Sequence, residues 1–319
     1  MKISTLTLLE IKKILKTEKE FKNIDSWNFK HTDLGEMLHK YKVSKGKKVY
    51  FVKEVKPHEA QMEYFLAKLR LKNLPYAVYP NLLKQKILVR FYIPGKMLKN
   101  KNVDLELLKN FALMRNRLAD KKYFDRHNFL KLHNYSRKDD GFYTRGLSEN
   151  FKFASKRLKY LQKYNLEIVD KYLELFNYLN ENKDKILKEF GEMPLAKQHQ
   201  DFREDNIIVM PNKKQALIDW GSSYGYNPFM YDVSPFIIKN IQAKKIYLKF
   251  DNICKKLTKE QINRWIYIGL VARFFDIIRW RLDPSEKRAD TKEHCKKYLE
   301  YEWKTYKYLL SKSNSRGKC

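Results

Sequence analysis

A chain of 319 residues, 43% hydrophobic and 14% aromatic, can build a real core, and its length allows one or two domains. Its 67 Lys and Arg against 37 Asp and Glu leave a formal charge of +30, which raises nucleic acid, an anionic membrane surface and phosphorylated ligands as partners. The charge is spread along the whole chain and dominated by Lys, whereas base edges and phosphate forks favour Arg, so no specific nucleic-acid reader is expected. No apolar run approaches the ~20 residues of a membrane-spanning helix, and Met1–Thr17 interleaves apolar residues with Lys and Glu, so a cytoplasmic location is expected. Cys254, Cys295 and Cys319 have no CxxC spacing, which argues against a zinc site or a disulfide framework.

In chain order, Leu6, Leu9, Ile11, Ile14 and Leu15 predict a short amphipathic helix within Ser4–Thr17. Strands are predicted at Trp27–His31, His39–Val43 and Lys48–Val55, the last two around a Lys45-Gly46 turn. Pro57 opens a helix whose buried side is Ala60, Tyr64, Leu66 and Leu69, and Val78–Leu83 and Ile87–Ile93 read as two more strands, ended by Pro94-Gly95. From Leu105 the period is helical, with faces at Leu105–Leu118, Phe151–Leu161 and Ile168–Leu179. The polar stretch 121–146 between the first two reads as a loop or lid. Beyond Pro194 come two short β-like runs, Ile207–Met210 and Ala216–Ile218, joined by the turn residues Pro211-Asn212-Lys213-Lys214. Helix resumes at Tyr231 and is strongly apolar on one side of Gln261–Leu282. Tyr298, Tyr301, Trp303 and Tyr306 form an aromatic helical stripe that reads as core.

The chemistry gathers at this second hairpin. His199, Asp201 and Asn206 precede its first strand and Asp219 follows its second, and a hairpin brings those two ends together. One carboxylate and one amide oxygen, with phosphate oxygens and water in the remaining positions, suit the Mg²⁺ of a nucleotide. A further carboxylate off the metal can orient a hydroxyl and take its proton.

His199-x-Asp201-x-x-x-x-Asn206, followed by Asp219-Trp220-Gly221, resembles the catalytic loop and metal motif of the aminoglycoside phosphotransferase and choline kinase superfamily. The resemblance implies an α+β, protein-kinase-like two-lobed fold. A small antiparallel-sheet N-lobe, 1–93, would bind nucleotide, and a larger, mostly helical C-lobe, 94–319, would carry catalysis and the acceptor, with the nucleotide in the cleft between lobes. It implies Asp201 as catalytic base, Asn206 and Asp219 as ligands of Mg²⁺, and His199 as a loop organiser. It also implies a strand Lys for the α/β-phosphates with a helix Glu beside it. Lys53 ends a strand in the expected place, with Glu59 the better partner on the next helix and Glu63 in reserve. Backbone groups around Phe91, Tyr92 and Ile93 would meet adenine.

Three departures from the family pattern stand out: the nucleotide-covering loop has only Gly35, Gln200 occupies a position where a small residue, often Gly, is usual, and Phe202-Arg203-Glu204-Asp205 is more charged than the common version. The implied activity is an ATP- or GTP-dependent small-molecule kinase that moves the γ-phosphoryl group to a hydroxyl. The sparse acidic residues disfavour aminoglycosides and leave a sugar or an anionic acceptor as the better fit, with peripheral contact to an anionic membrane compatible with the charge. The alternative is a non-catalytic kinase-like scaffold that binds nucleic acid or anionic membrane through its Lys-rich surface.

Overall fold

The computed structural model describes residues 6–32, 40–99, 102–119, 142–222, 226–282 and 291–311. The Gly35 loop, most of the polar stretch 121–146, Tyr224 and the tail from residue 312 lie outside them. In chain order the elements are α1 (Leu8–Leu15), β1 (Asn28–His31), β2 (Lys40–Lys45), β3 (Lys48–Glu54), α2 (Pro57–Leu69), β4 (Ile87–Phe91), β5 (Lys96–Met97) and α3 (Leu105–Ala119). They continue with α4 (Phe142–Leu161), α5 (Glu167–Glu181), α6 (Lys183–Glu192), β6 (Leu195–Lys197), β7 (Ile207–Val209), β8 (Gln215–Leu217) and β9 (Tyr226–Pro228). The chain ends in α7 (Ser234–Ile237), α8 (Ile241–Phe250), α9 (Lys259–Arg281) and α10 (Lys292–Ser311). Among the described residues no helix is long and apolar enough to cross a membrane. Chain packing divides these elements into two units, one of 1–134 with 199–225 and one of 135–198 with 226–319.

The first unit is built on an antiparallel sheet of order β1-β2-β3-β4. Strand period 2 sends Tyr41, Val43, Tyr50 and Val52 to one face, where they pack with Ile11 and Leu15 of α1 and with Phe21 and Trp27. Lys40, Lys42, Phe51 and Lys53 alternate with them and therefore share the other face. Gly46, at φ 58°, supplies the left-handed residue of the two-residue turn that sets the β2–β3 register at Lys45↔Lys48. Helix α1 starts later than its apolar pattern suggests, because Thr7 and Glu10 close a reciprocal capping box.

The run Val78–Leu83 is not the strand expected from its composition. Pro80 opens a 3₁₀ turn, Pro80–Gln85, and only Val78 bonds the sheet, through its N–H to Val89 O. In that turn the adjacent Leu82 and Leu83 are both buried, each in a different apolar cluster, an arrangement that strand alternation would forbid.

The β7–β8 hairpin belongs to this same unit. Gln215 donates to Asn102 O and accepts from Asp104 N at the start of α3, and Leu217 N donates to Asn73 O. Strand β5 adds to β7 at Lys96↔Val209, and Gly95 before it must be glycine, since a Cβ there would lie 2.3 Å from Val209 O.

The second unit is helical with one small ladder, β6–β9. Phe151, Tyr172, Phe274, Phe275 and Tyr306 are all essentially inaccessible, and their rings meet edge-on, tilted or, for Tyr172 and Phe274, stacked along the centre of α4, α5, α9 and α10. Thr258 and Gln261 cap α9 reciprocally, and Gly269 in its middle admits α7, where a Cβ would sit 2.6 Å from Ser234 Oγ. Cys254 and Cys295 are both buried.

Candidate active site

Lys53 is placed by the strand that carries it. It stands on β3 opposite the apolar face of Tyr50 and Val52, and its stem is buried while its ammonium reaches Glu59. Pro57 at the first helical position aligns α2 so that Glu59 falls in its first turn, where the helix dipole favours a carboxylate. Lys53 Nζ lies 2.9 Å from Glu59 Oε1 and 3.0 Å from Asp219 Oδ1, so one ammonium joins helix α2 to the residue that follows β8. Glu63, one turn further along α2, instead faces Arg90 Nη1 at 3.8 Å, with no hydrogen bond between them.

The charges in this cluster are strongly held. Burial works against the Lys53 charge, but Glu59 and Asp219 outweigh it and push the ammonium up to about 12. Burial likewise opposes the Asp219 charge, and Lys53 more than offsets it, bringing the carboxyl down to about 2. Burial pushes Glu59 up against the pull of Lys53. Fully buried Glu63 is pushed up to about 8 by desolvation, which the Arg90 charge only partly offsets.

The β7–β8 register, Ile207↔Leu217, brings Asn206 and Asp219 to the same end of the hairpin, where Ile218 N donates to Asn206 O at 2.8 Å. Asn206 donates its Nδ2 to both Asp201 O and Asp201 Oδ2 at 2.8 Å, an orientation that turns its carbonyl oxygen away from the carboxylate and towards use as a cation ligand. His199 is fully buried against Trp220. Its Nδ1 accepts from Asp201 N at 3.3 Å, so its Nε2 carries the proton and donates to Ile218 O at 2.8 Å. A neutral imidazole thereby ties the loop to the end of β8.

Two backbone positions here are strained. Gln200 has φ 66° and Asp219 φ 62°, the left-handed region that costs a non-glycine residue of order 1 kcal/mol. The first is a conformation that Gly would adopt without that cost. The second aims the Asp219 carboxylate back toward Lys53.

Arg203 is a contact that the motif did not foretell. Its Nη2 donates to Asp201 Oδ2 at 3.0 Å, and its Nε forms an ion pair with Oδ1 at 2.6 Å without a hydrogen bond, so the guanidinium holds the expected base through one hydrogen bond and its charge. Its position two residues on, in the charged run Phe202-Arg203-Glu204-Asp205, was the available signal. Phe91 is 64% exposed and stacks on Tyr50, while the Tyr92 N–H is already donated to Val49 O and so is not available to a ligand. Phe51 shares the Lys53 face, with the Arg90 guanidinium 4.9 Å above its ring.

Among the described residues no three His, Cys, Asp or Glu side chains converge as a metal cage. Mg²⁺ needs none, since one carboxylate, one amide oxygen and substrate phosphates with water complete its octahedron, and Asp219 and Asn206 are of that donor type.

Residues 92–244 match the family model described as the phosphotransferase enzyme family, a span that includes Asp201, Asn206 and Asp219. Over that span the chain is similar to this family. No curated protein matches it in sequence. Among solved structures it is similar to the Plasmodium vivax ethanolamine kinase, at 13% identity and TM-score 0.54, covering 91% of this chain and 87% of that one. It is also similar to a spectinomycin phosphotransferase bound to AMP, at 14% identity and TM-score 0.53 over 93% and 95% of the two chains. An aminoglycoside phosphotransferase from Alicyclobacillus acidocaldarius matches at 11% identity and TM-score 0.50, over 92% and 95%. The fold is therefore the α+β, protein-kinase-like one.

Proposed function

We propose that this protein is a phosphotransferase, a cytoplasmic kinase that takes the γ-phosphoryl group of ATP, or of GTP, to the hydroxyl of a small molecule, a sugar or an anionic compound. The observation that carries it is the junction of Lys53, Glu59 and Asp219 at the hairpin end that also bears Asp201 and Asn206. In this reading 1–93 is the nucleotide lobe and 94–319 the catalytic and acceptor lobe. Lys53, steadied by Glu59, binds the α/β-phosphates, and backbone groups of Phe91–Ile93 meet the base. Asn206 and Asp219 hold Mg²⁺, which when bound neutralises the phosphates. Asp201 orients the acceptor hydroxyl and takes its proton as the oxygen attacks the γ-phosphorus, and the bond to the leaving diphosphate breaks.

Because the transition state is loose, orientation matters more than base strength, which is compatible with a base held by Arg203 and Asn206. The AMP complex of the spectinomycin phosphotransferase supports nucleotide use by this fold.

The test is the thermal shift with ATP or GTP, with and without Mg²⁺. A Mg²⁺-dependent rise in wild type, lost in Asp219→Asn, is expected, since a ligand at 100 times its Kd stabilises by about 2.7 kcal/mol. No shift at millimolar nucleotide would overturn the reading. Asp201→Asn should keep the shift and lose transfer.

A further inference from the structure

The two carboxylate oxygens of Asp201 have unlike surroundings. Oδ2 accepts from Asn206 Nδ2 at 2.8 Å and from Arg203 Nη2 at 3.0 Å, which fills both of its lone-pair directions. Oδ1 accepts no hydrogen bond among the described residues, since the Arg203 Nε 2.6 Å away lends it charge without donating. The side chain is 31% exposed, so Oδ1 is the oxygen with lone pairs open to an incoming hydroxyl.

The loop builds this difference locally. Phe202 is 1% exposed and packs against Phe111 of α3, ring centroids 4.9 Å apart, which anchors the chain between Asp201 and Arg203. Arg203 is extended, at φ −139° and ψ 165°, so its side chain turns away from that anchor and back to Asp201. Its carbonyl accepts from Asn206 N at 3.1 Å, and the single turn Glu204–Asn206 thereby ties the two donors of Oδ2 to one another. Asp205 draws on the same guanidinium, its Oδ1 lying 3.3 Å from Nε. Arg203 thus stands between two carboxylates and donates to the one read as the base.

We propose that Arg203 is a positioning residue for phosphoryl transfer: by occupying Oδ2 together with Asn206 it fixes the plane of the Asp201 carboxylate and leaves Oδ1 as the oxygen that takes the acceptor proton. The inference rests on the kinase reading above. In the step, the acceptor O–H bond breaks as its proton passes to Oδ1, the acceptor oxygen bonds to the γ-phosphorus, and the bond from that phosphorus to the leaving diphosphate oxygen breaks. Arg203 acts on this step through Asp201 alone.

The experiment follows release of inorganic phosphate from Mg·ATP by the full chain, with water as the acceptor. It compares wild type, Arg203→Met, Arg203→Lys, Asp201→Asn and the double variant of Arg203→Met with Asp201→Asn, and measures the Mg·ATP thermal shift on each. Arg203→Met should lower kcat on the order of tenfold to a hundredfold, with KM for Mg·ATP and the thermal shift unchanged. Arg203→Lys, which keeps the charge and a donor for Oδ2, should recover most of that loss. Once Asp201→Asn is present, Arg203→Met should add nothing, because a residue that acts through another has no effect in its absence. Wild-type kcat in Arg203→Met, or an equal loss in Arg203→Lys, overturns the proposal. A loss confined to KM, or a further loss in the double variant, also overturns it and would put Arg203 on the phosphates. Arg203→Gln stands in if the Met variant fails to fold, and if neither neutral variant folds, the charge belongs to the fold and the proposal falls. A wild type that binds Mg·ATP yet releases phosphate no faster than Asp201→Asn overturns Asp201 as base and takes this inference with it, whereas absence of the thermal shift overturns the nucleotide site itself.

Discussion

The two units bury charge in different ways. In the first, Lys40, Lys53, Glu59, Glu63 and Arg90 are all less than a tenth exposed and gather on one side of a four-stranded sheet. In the second, the centre is a run of rings, and Asp251 and Glu189 have ordinary structural employment: Asp251 caps the Ile253 and Cys254 amides, and Glu189 meets Arg264 at 2.7 Å. An ionic cluster is a weak source of stability once desolvation is counted, whereas packed aromatic surface is a strong one. The centre of the second unit is thus the stronger source of stability, and the ionic cluster of the first is accounted for by the nucleotide binding proposed above.

That contrast can be broken most severely at its two centres. Phe274→Ala should cost about 3–5 kcal/mol in urea unfolding, because its ring meets Tyr172, Phe275 and Tyr306 and leaves a cavity. Lys53→Met should cost roughly 3 kcal/mol by stranding Glu59 beside Asp219. Adding Glu59→Leu should restore much of that stability while nucleotide binding stays lost. Recovery of both properties in the double variant would refute the functional account of the cluster.

The pH dependence sharpens the same contrast. Lys53, raised to about 12, contributes stability that is full below its ordinary value of 10.5 and lost as pH rises through 12. Asp219, lowered to about 2, contributes stability present above 3.8 and lost as pH falls through 2. Glu63 behaves in the opposite sense to Asp219: raised to about 8, its contribution is full below 4.5 and lost as pH rises through 8. Glu63→Gln should therefore resemble wild type near pH 4 and exceed it by on the order of a few kcal/mol at pH 9, measured by urea unfolding across that range. A constant difference would show that Arg90 keeps Glu63 ionised throughout. The smallest effect is expected at the strained loop, where Gln200→Gly should gain up to ~1 kcal/mol by relieving φ 66°. A loss would mean that the Gln200 side chain contributes more than its backbone costs.

The motif around the second hairpin was legible because its spacing and its turn residues are local: four turn residues between two β-like runs are enough to bring Asn206 and Asp219 to one end. Helix faces from Leu105 onward were legible for the same reason, since period 3.6 needs no partner to be seen. Val78–Leu83 was misread because a short apolar run has no period of its own, and Pro80 decided it only in company with two separate clusters for Leu82 and Leu83.

By itself, then, the order of residues determined most of the element types and the hairpin, and it nominated the short list Lys53, Glu59, Asp201, Asn206 and Asp219. Contacts between residues far apart in the chain were decided by the tertiary structure alone. Which Glu meets Lys53 depends on the angle at which α2 leaves β3, and Glu59 wins over Glu63 by one helical turn. Lys53 meets Asp219 across 166 residues of chain. Lys40 comes to stand opposite Lys53 through strand register, which turn geometry and the buried face settle together. The physical reason is common to all three: periodicity states which face a side chain takes, and only packing states what waits on the other side.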